Sequence, residues 1–156
     1  MDAKFVAHVE SLRPKLHDLL AMESVSPSRL PRDMPRAGVY LLSENGRNLY
    51  VGRSNHIRSR IGRHCRPGAT HRMVAFAFRL AREATGNERA TYKKGQGSRD
   101  ALMQDTKFVA AFIEAKARIA SMDLRFVGES DPVRQGLLEL YAAVVLDTPY
   151  NDFDTH

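Results

Sequence analysis

The sequence predicts a single α/β (α+β) domain in which a small antiparallel sheet is flanked by helices. Apolar residues recur at three- and four-residue steps through several stretches, as on a helix face packed against a core. Two short apolar and aromatic runs, 38–43 and 48–51, bracket Asn45-Gly46, a strong hairpin signal. A third run, from Leu124 to Gly128, alternates like a strand and is followed by Asp131-Pro132, which suits the first turn of a helix. With 156 residues the chain can bury one substantial core and is short for two.

Residues 2–22 carry a helical stripe of Phe5, Val9, Leu12, Leu16, Leu19 and Leu20. Pro14 removes one backbone donor and crowds the preceding turn, so a kink or two short helices meeting near Leu12 is expected. Residues 24–36, rich in Ser and Pro, read as a linker. After the hairpin, Ser54 or Asn55 can cap a helix whose Ile57 and Ile61 face the core, while His56, Arg60 and His64 share one side of it. A second helix is expected over 70–84, capped by Thr70, with Met73, Phe76, Ala77 and Leu80 buried. Residues 86–98, aperiodic and with three glycines, read as a mobile loop. One long helix is expected from Ser98 to Ser121, held by Leu102, Val109, Phe112 and Ile113. The last helix runs from 132 to 146, with Val133, Leu137, Leu140, Tyr141 and Val144 available to the core.

The charge pattern points to a partner. Between Glu44 and Glu83 there is no acidic residue, yet there are nine arginines: Arg47, Arg53, Arg58, Arg60, Arg63, Arg66, Arg72, Arg79 and Arg82. Such a stretch repels itself, and a polyanion relieves the repulsion. The net charge of +6 agrees with a nucleic-acid partner. The single cysteine, Cys65, excludes an intramolecular disulfide and a Cys-rich zinc site. Asp2, Lys4, His8 and Glu10 stand where a signal peptide needs an apolar core, and no stretch approaches the roughly 18 apolar residues of a membrane span. The expectation is a soluble, cytoplasmic protein with no membrane partner.

Gly38-Val39-Tyr40, then nine residues, then Tyr50-Val51-Gly52, with Arg60 and His64 on the next helix and Glu139 and Asn151 further on, resembles the GIY-YIG nuclease superfamily. Valine replaces isoleucine in both motifs, and the interval between the tyrosines is slightly short. The resemblance covers 37–65 and 122–153 as the core. It leaves 1–36 as an N-terminal helical arm and linker and 66–121 as a helical insertion. It implies a three-stranded antiparallel sheet with the two motifs on neighbouring strands, and Glu139 holding a divalent metal, Mg²⁺ or Mn²⁺. It also implies that Tyr40 is a general base and that Tyr50 orients the water or the phosphate. The resemblance further implies supporting roles for Gly38, Gly52, Ser54 and Asn151.

The residue chemistry agrees. Phosphodiester hydrolysis needs a positioned water, a proton acceptor and positive charge where the phosphorus gathers negative charge. Arg60 can supply that charge without deprotonating, and Glu139 can bind a hard cation. His64, one turn from Arg60, is an alternative base to Tyr40. Arg53, Arg58, Arg63, Arg66, Arg72 and Arg79 read as phosphate-positioning contacts, and Lys93 and Lys94 as a clamp on a strand. The expected activity is metal-dependent hydrolysis of nucleic acid, DNA in preference to RNA. Two alternatives are a non-cleaving nucleic-acid-binding adaptor and a toxin-like nuclease restrained by a protein partner. No zinc-finger or helix-turn-helix signature is present, so target choice would fall to the arm, the insertion or a partner.

Overall fold

A computed structural model of the protein describes residues 1–66, 75–86 and 99–153. Its helices are α1 (Ala3–Ala21), α2 (Ile57–Cys65), α3 (Ala75–Ala84), α4 (Arg99–Leu102), α5 (Thr106–Ala120) and α6 (Pro132–Leu146). Its strands are β1 (Gly38–Glu44), β2 (Arg47–Ser54) and β3 (Asp123–Gly128). They form one sheet in the order β2-β1-β3, both pairs antiparallel. The expected α+β class is therefore observed.

β1 lies in the middle of the sheet and is buried on both faces. Tyr40 and Leu42 enter a cluster with Phe76, Phe78, Phe108, Phe112 and Ile119 from α3 and α5. Val39 and Leu41 enter a second cluster with Leu12, Leu16 and Leu19 of α1 and Leu138 and Ala142 of α6. The helices assigned to the arm and the insertion thus supply core on both faces.

The hairpin turns at Asn45 and Gly46, both with positive φ, as a two-residue primed turn requires. Glu44 pairs with Arg47 and Ser43 with Asn48, but Leu42 pairs with Tyr50, leaving Leu49 as a one-residue bulge. Beyond the bulge Tyr40 lies opposite Gly52. Residues paired across a ladder share a face, so the shift of one brings Tyr50 onto the face of Tyr40. Without it, Tyr40 would face Val51, and the tyrosines would point to opposite sides of the sheet.

Several helix details differ from expectation. α1 is continuous through Pro14, which is exposed, while Leu12, Leu16 and Leu19 are buried. The roughly 3 kcal/mol cost of an interior proline is offset by three leucines that each contribute about 1.5–3 kcal/mol on burial. Phe5 and Leu20, assigned to the stripe, are largely exposed. The expected long helix is interrupted between Leu102 and Thr106, where the Asp105 carboxylate accepts the Lys107 N–H and starts α5 afresh. Phe108, not Val109, leads its buried face, and Ile113 is exposed. α2 begins at Ile57 with His56 at its N-cap, and the Ser54 hydroxyl accepts the His56 N–H. α6 begins as expected, with Asp131 as cap and Pro132 in the first turn, but it is rotated. Val133, Leu140 and Val144 are exposed, while Leu138, Ala142 and Ala143 are buried. The two alanines let the helix lie close to the sheet, which bulkier residues would prevent. Thr70, Met73, Lys93, Lys94 and Ser98, given roles above, lie outside the described residues. Among those described, no helix is long and apolar enough to cross a membrane.

β2 is an edge strand at the described level, and the segment after α6 secures it. Asn151 Oδ1 accepts the Val51 N–H at 2.8 Å, and Asn151 Nδ2 donates to the Val51 carbonyl at 2.7 Å. The buried Thr148 hydroxyl donates to the same Oδ1, and the Tyr150 N–H reaches the Leu49 carbonyl. The amide therefore satisfies both backbone groups of a fully buried residue. Replacing Asn151→Ala leaves them unmatched and is expected to lower stability by about 1–3 kcal/mol, read as a lower urea midpoint. Unchanged stability would show that solvent replaces the amide.

Candidate active site

Tyr40 and Tyr50 sit diagonally across the β1–β2 ladder with ring centroids 6.3 Å apart. Gly52 is directly opposite Tyr40, and a Cβ there would lie 2.3 Å from the phenolic oxygen. The motif glycine is thus required because the Tyr40 ring crosses over its backbone. Gly38 has a separate reason: a Cβ would meet the Val127 carbonyl of β3 at 2.0 Å. The Tyr50 ring stacks on Phe76 at 4.7 Å and 12°. That contact gives Phe76 a positioning task that sequence reading, which takes Phe76 as core, does not reveal.

α2 starts immediately after β2 and carries Arg60 and His64 on successive turns toward the tyrosines. His64 is buried, with Nε2 2.9 Å from the Tyr40 hydroxyl. Its Nδ1 and the Arg60 Nε are buried with no hydrogen-bond partner among the described residues. From the opposite side α6 presents Glu139, whose Oε2 accepts a 3.0 Å hydrogen bond from Arg53 Nε. These groups surround a polar cleft of about 530 Å³, where Tyr40, Tyr50, Arg53, Arg60, Arg63 and Glu139 are joined by Ser54, Asn55, His56, Ser59 and Gln135. Among the described residues Glu139 is the one carboxylate that lines the cleft, against three arginines.

Burial controls the protonation of this site. Desolvation pushes the Tyr40 phenol well above its usual value, aided by the nearby Tyr50 and opposed by Arg60. Tyr50 is raised by desolvation and by Glu139. Desolvation, reinforced by Arg60 and Lys116, lowers the His64 pKa to about 3. Glu139 is raised by desolvation, against the opposing pull of Arg53 and Arg60. At neutral pH the Tyr40–His64 contact therefore joins a phenol to an uncharged imidazole.

The residues assigned from sequence divide into three sets. Tyr40, Tyr50, Arg53, Ser54, Arg60, Arg63 and Glu139 line the cleft, with His64 directly behind Tyr40. Arg58 and Arg66 line an adjoining groove. Arg79 stands apart, with its guanidinium 5.6 Å from the centroid of the Tyr150 ring, and Arg72 lies outside the described residues. Of the small residues three and four positions from Glu139 on α6, Ala142 and Ala143 are buried in packing, while the space at Gly136 is open. Gln135 was not anticipated; it is buried and donates to the Asn55 Oδ1 and to the Glu129 carbonyl. An uncharged residue on a helix carries no sequence signal for that task.

The family model of the GIY-YIG catalytic domain matches residues 36–104. Residues 36–104 are therefore similar to the GIY-YIG catalytic domain, a nuclease-type fold, and the observed three-stranded antiparallel sheet flanked by helices is consistent with that fold. The match contains both tyrosine motifs, Arg60 and His64. Glu139 and Asn151 lie beyond it and reach the site through α6 and the segment that follows. No curated protein and no solved structure gave a match.

The depressed His64 pKa has a thermodynamic consequence. Between pH 6.5 and about 3 the unfolded chain binds a proton at this position that the folded chain refuses, so stability falls as pH drops through that window. This penalty is absent above 6.5. From pH 7 to 5 the His64 contribution is roughly 2 kcal/mol, and His64→Gln is expected to lose that much less stability than the parent in urea titrations at the two pH values. Equal losses would mean that His64 titrates normally in the folded protein.

Proposed function

We propose that this protein is a metal-dependent nuclease that hydrolyses phosphodiester bonds of nucleic acid, with DNA as the expected polymer. The observation that carries the reading is the convergence of Tyr40, Tyr50, Arg60, His64 and Glu139, from four separate elements, around one cleft rich in arginine.

A hard divalent cation fits the donor set. Among the described residues no three His, Cys, Asp or Glu side chains form a metal-binding group, and the cleft offers the single carboxylate of Glu139. Mg²⁺ and Mn²⁺ accept such sites, completing their shells with water and substrate phosphate oxygens. Glu139 would hold the ion, which when bound supplies Lewis-acid stabilisation to the phosphate and the departing oxygen.

The protein's own groups then divide the work. Arg60 neutralises charge on the equatorial oxygens as the water oxygen bonds to phosphorus and the bond to the leaving oxygen breaks. The water's proton passes to Tyr40 Oη while the Tyr40 proton passes to His64 Nε2. The leaving oxygen takes a proton from solvent. His64 resists charge partly because of Arg60, and a phosphate beside that guanidinium relieves the resistance when substrate is present. Tyr50, stacked on Phe76, orients the water. With Glu139 engaged by the ion, Arg53 would be released from this carboxylate to the substrate phosphate.

The Arg53–Glu139 ion pair also favours the rival reading of a non-cleaving adaptor, in which an arginine permanently neutralises the carboxylate. Cleavage assays separate the two, using supercoiled plasmid and labelled single-stranded, branched and RNA substrates with Mg²⁺, Mn²⁺ or EDTA. Metal-dependent cutting is expected, falling by about 10²-fold or more in Glu139→Ala, Arg60→Ala and Tyr40→Phe. Binding without cutting on every polymer, unchanged by Glu139→Ala, would establish the adaptor instead.

A further inference from the structure

A second groove, of about 460 Å³, adjoins the cleft where the 24–36 segment runs past the start of α2. Arg32 and Arg36 from that segment, Arg58 from α2 and Arg66 at its C-terminal cap line it, and among the described residues no carboxylate does. His56 and Ser59 line both the groove and the catalytic cleft, so the two are continuous.

The segment read from sequence as a linker is a fixed wall. The Ile57 N–H donates to the Arg36 carbonyl at 2.8 Å, and the Arg36 Nε donates to His56 Nδ1 at 3.3 Å. Arg58 donates to the carbonyls of Pro31 and Arg32. Further upstream, Val25 exchanges two backbone hydrogen bonds with Leu124 at the edge of β3. Arg66 folds back over α2, where a Cβ on Gly62 would lie 2.6 Å from its Nη2. None of the four arginines forms an ion pair with another described residue. α2 also begins here with no acidic residue in its first turn and no side-chain cap, so its dipole adds to the positive potential.

Four guanidinium groups on two docked walls, with no counter-charge among the described lining residues, form a site for successive phosphates. We infer that this groove binds the sugar–phosphate backbone of the strand flanking the scissile bond, which leaves the cleft past His56 and Ser59. The inference rests on the nuclease reading for the occupant of the cleft, while the groove itself is independent of catalysis. It gives the segment before the first strand a substrate-holding task.

The test is binding in EDTA, followed by fluorescence anisotropy of labelled single-stranded oligonucleotides from about 50 to 200 mM salt, comparing the parent with Arg32→Ala/Arg36→Ala. Both positions are exposed, and circular dichroism checks that the fold is retained. An oligonucleotide of about 16 residues should bind the double variant roughly tenfold more weakly, with a salt slope shallower by about 1.4 for two lost contacts on a single strand. One of about four residues, filling only the cleft, should bind both proteins equally. Equal slopes on the long strand, with metal-dependent cutting intact, would overturn the groove and leave the nuclease reading standing. Absence of binding by either protein, on either length, would overturn both.

Discussion

The one-residue bulge at Leu49 is the constraint on which the site depends. A two-residue Asn-Gly turn sets a register in which Tyr40 opposes Val51, and a strand's side chains alternate with strict period two. Leu49, left unopposed, shifts the pairing by one, so that Leu42 opposes Tyr50 and Tyr40 opposes Gly52. Both tyrosines then face α2, where His64 and Arg60 meet them. Gly52 provides the space over which the Tyr40 ring lies, and Phe76 supports the Tyr50 ring from the helical layer. Asn151 holds Val51, between Tyr50 and Gly52, from the side that lacks a strand among the described residues.

The electrostatics follow from depth. Tyr40 and His64 lie at the boundary between core and cleft, where water is excluded and charge is penalised. Burial therefore raises the phenol, lowers the imidazole and leaves both uncharged until something enters the cleft. Closer to solvent, Arg53 and Glu139 neutralise each other, while among the described residues no further carboxylate lines the cleft for Arg60 and Arg63. The resting site is thus deficient in negative charge, which a phosphate supplies. The same deficiency continues through His56 and Ser59 into the arginine-lined groove.

The two helical layers have different tasks. α3 and α5 fill the aromatic cluster beneath Tyr40 and Tyr50, so the phenols rest on a packed base. α1 and α6 cover the opposite face, and α6 carries Glu139 past the edge of β2 to the mouth of the cleft. Ala142 and Ala143 permit that close approach. Their burial turns Val133, Leu140 and Val144 outward, contrary to a rule that sends larger apolar residues inward. The buried face of this helix is formed by Gln135, Leu138, Ala142 and Ala143.

Much was legible in the chain because the signals were local. Asn45-Gly46 determines the turn, Asp131-Pro132 the start of α6, and Gly38-Val39-Tyr40 with Tyr50-Val51-Gly52 the kind of fold. The acid-free run from 45 to 82 determines the sign of the surface. Other features depend on residues distant in sequence. The continuity of α1 through Pro14 needs the sheet and α6, which receive its leucines; the restart at Asp105 is by contrast a local cap prevailing over helical periodicity. The face shared by the two tyrosines depends on a bulge that no residue type announces. The Arg53–Glu139 ion pair and the wall formed by 24–36 join positions far apart in the chain. Sequence alone determined which local conformations and which chemical groups were available. Only the tertiary structure decided which groups meet, because that is set by register, helix rotation and packing distance, all of which arise between elements rather than within them.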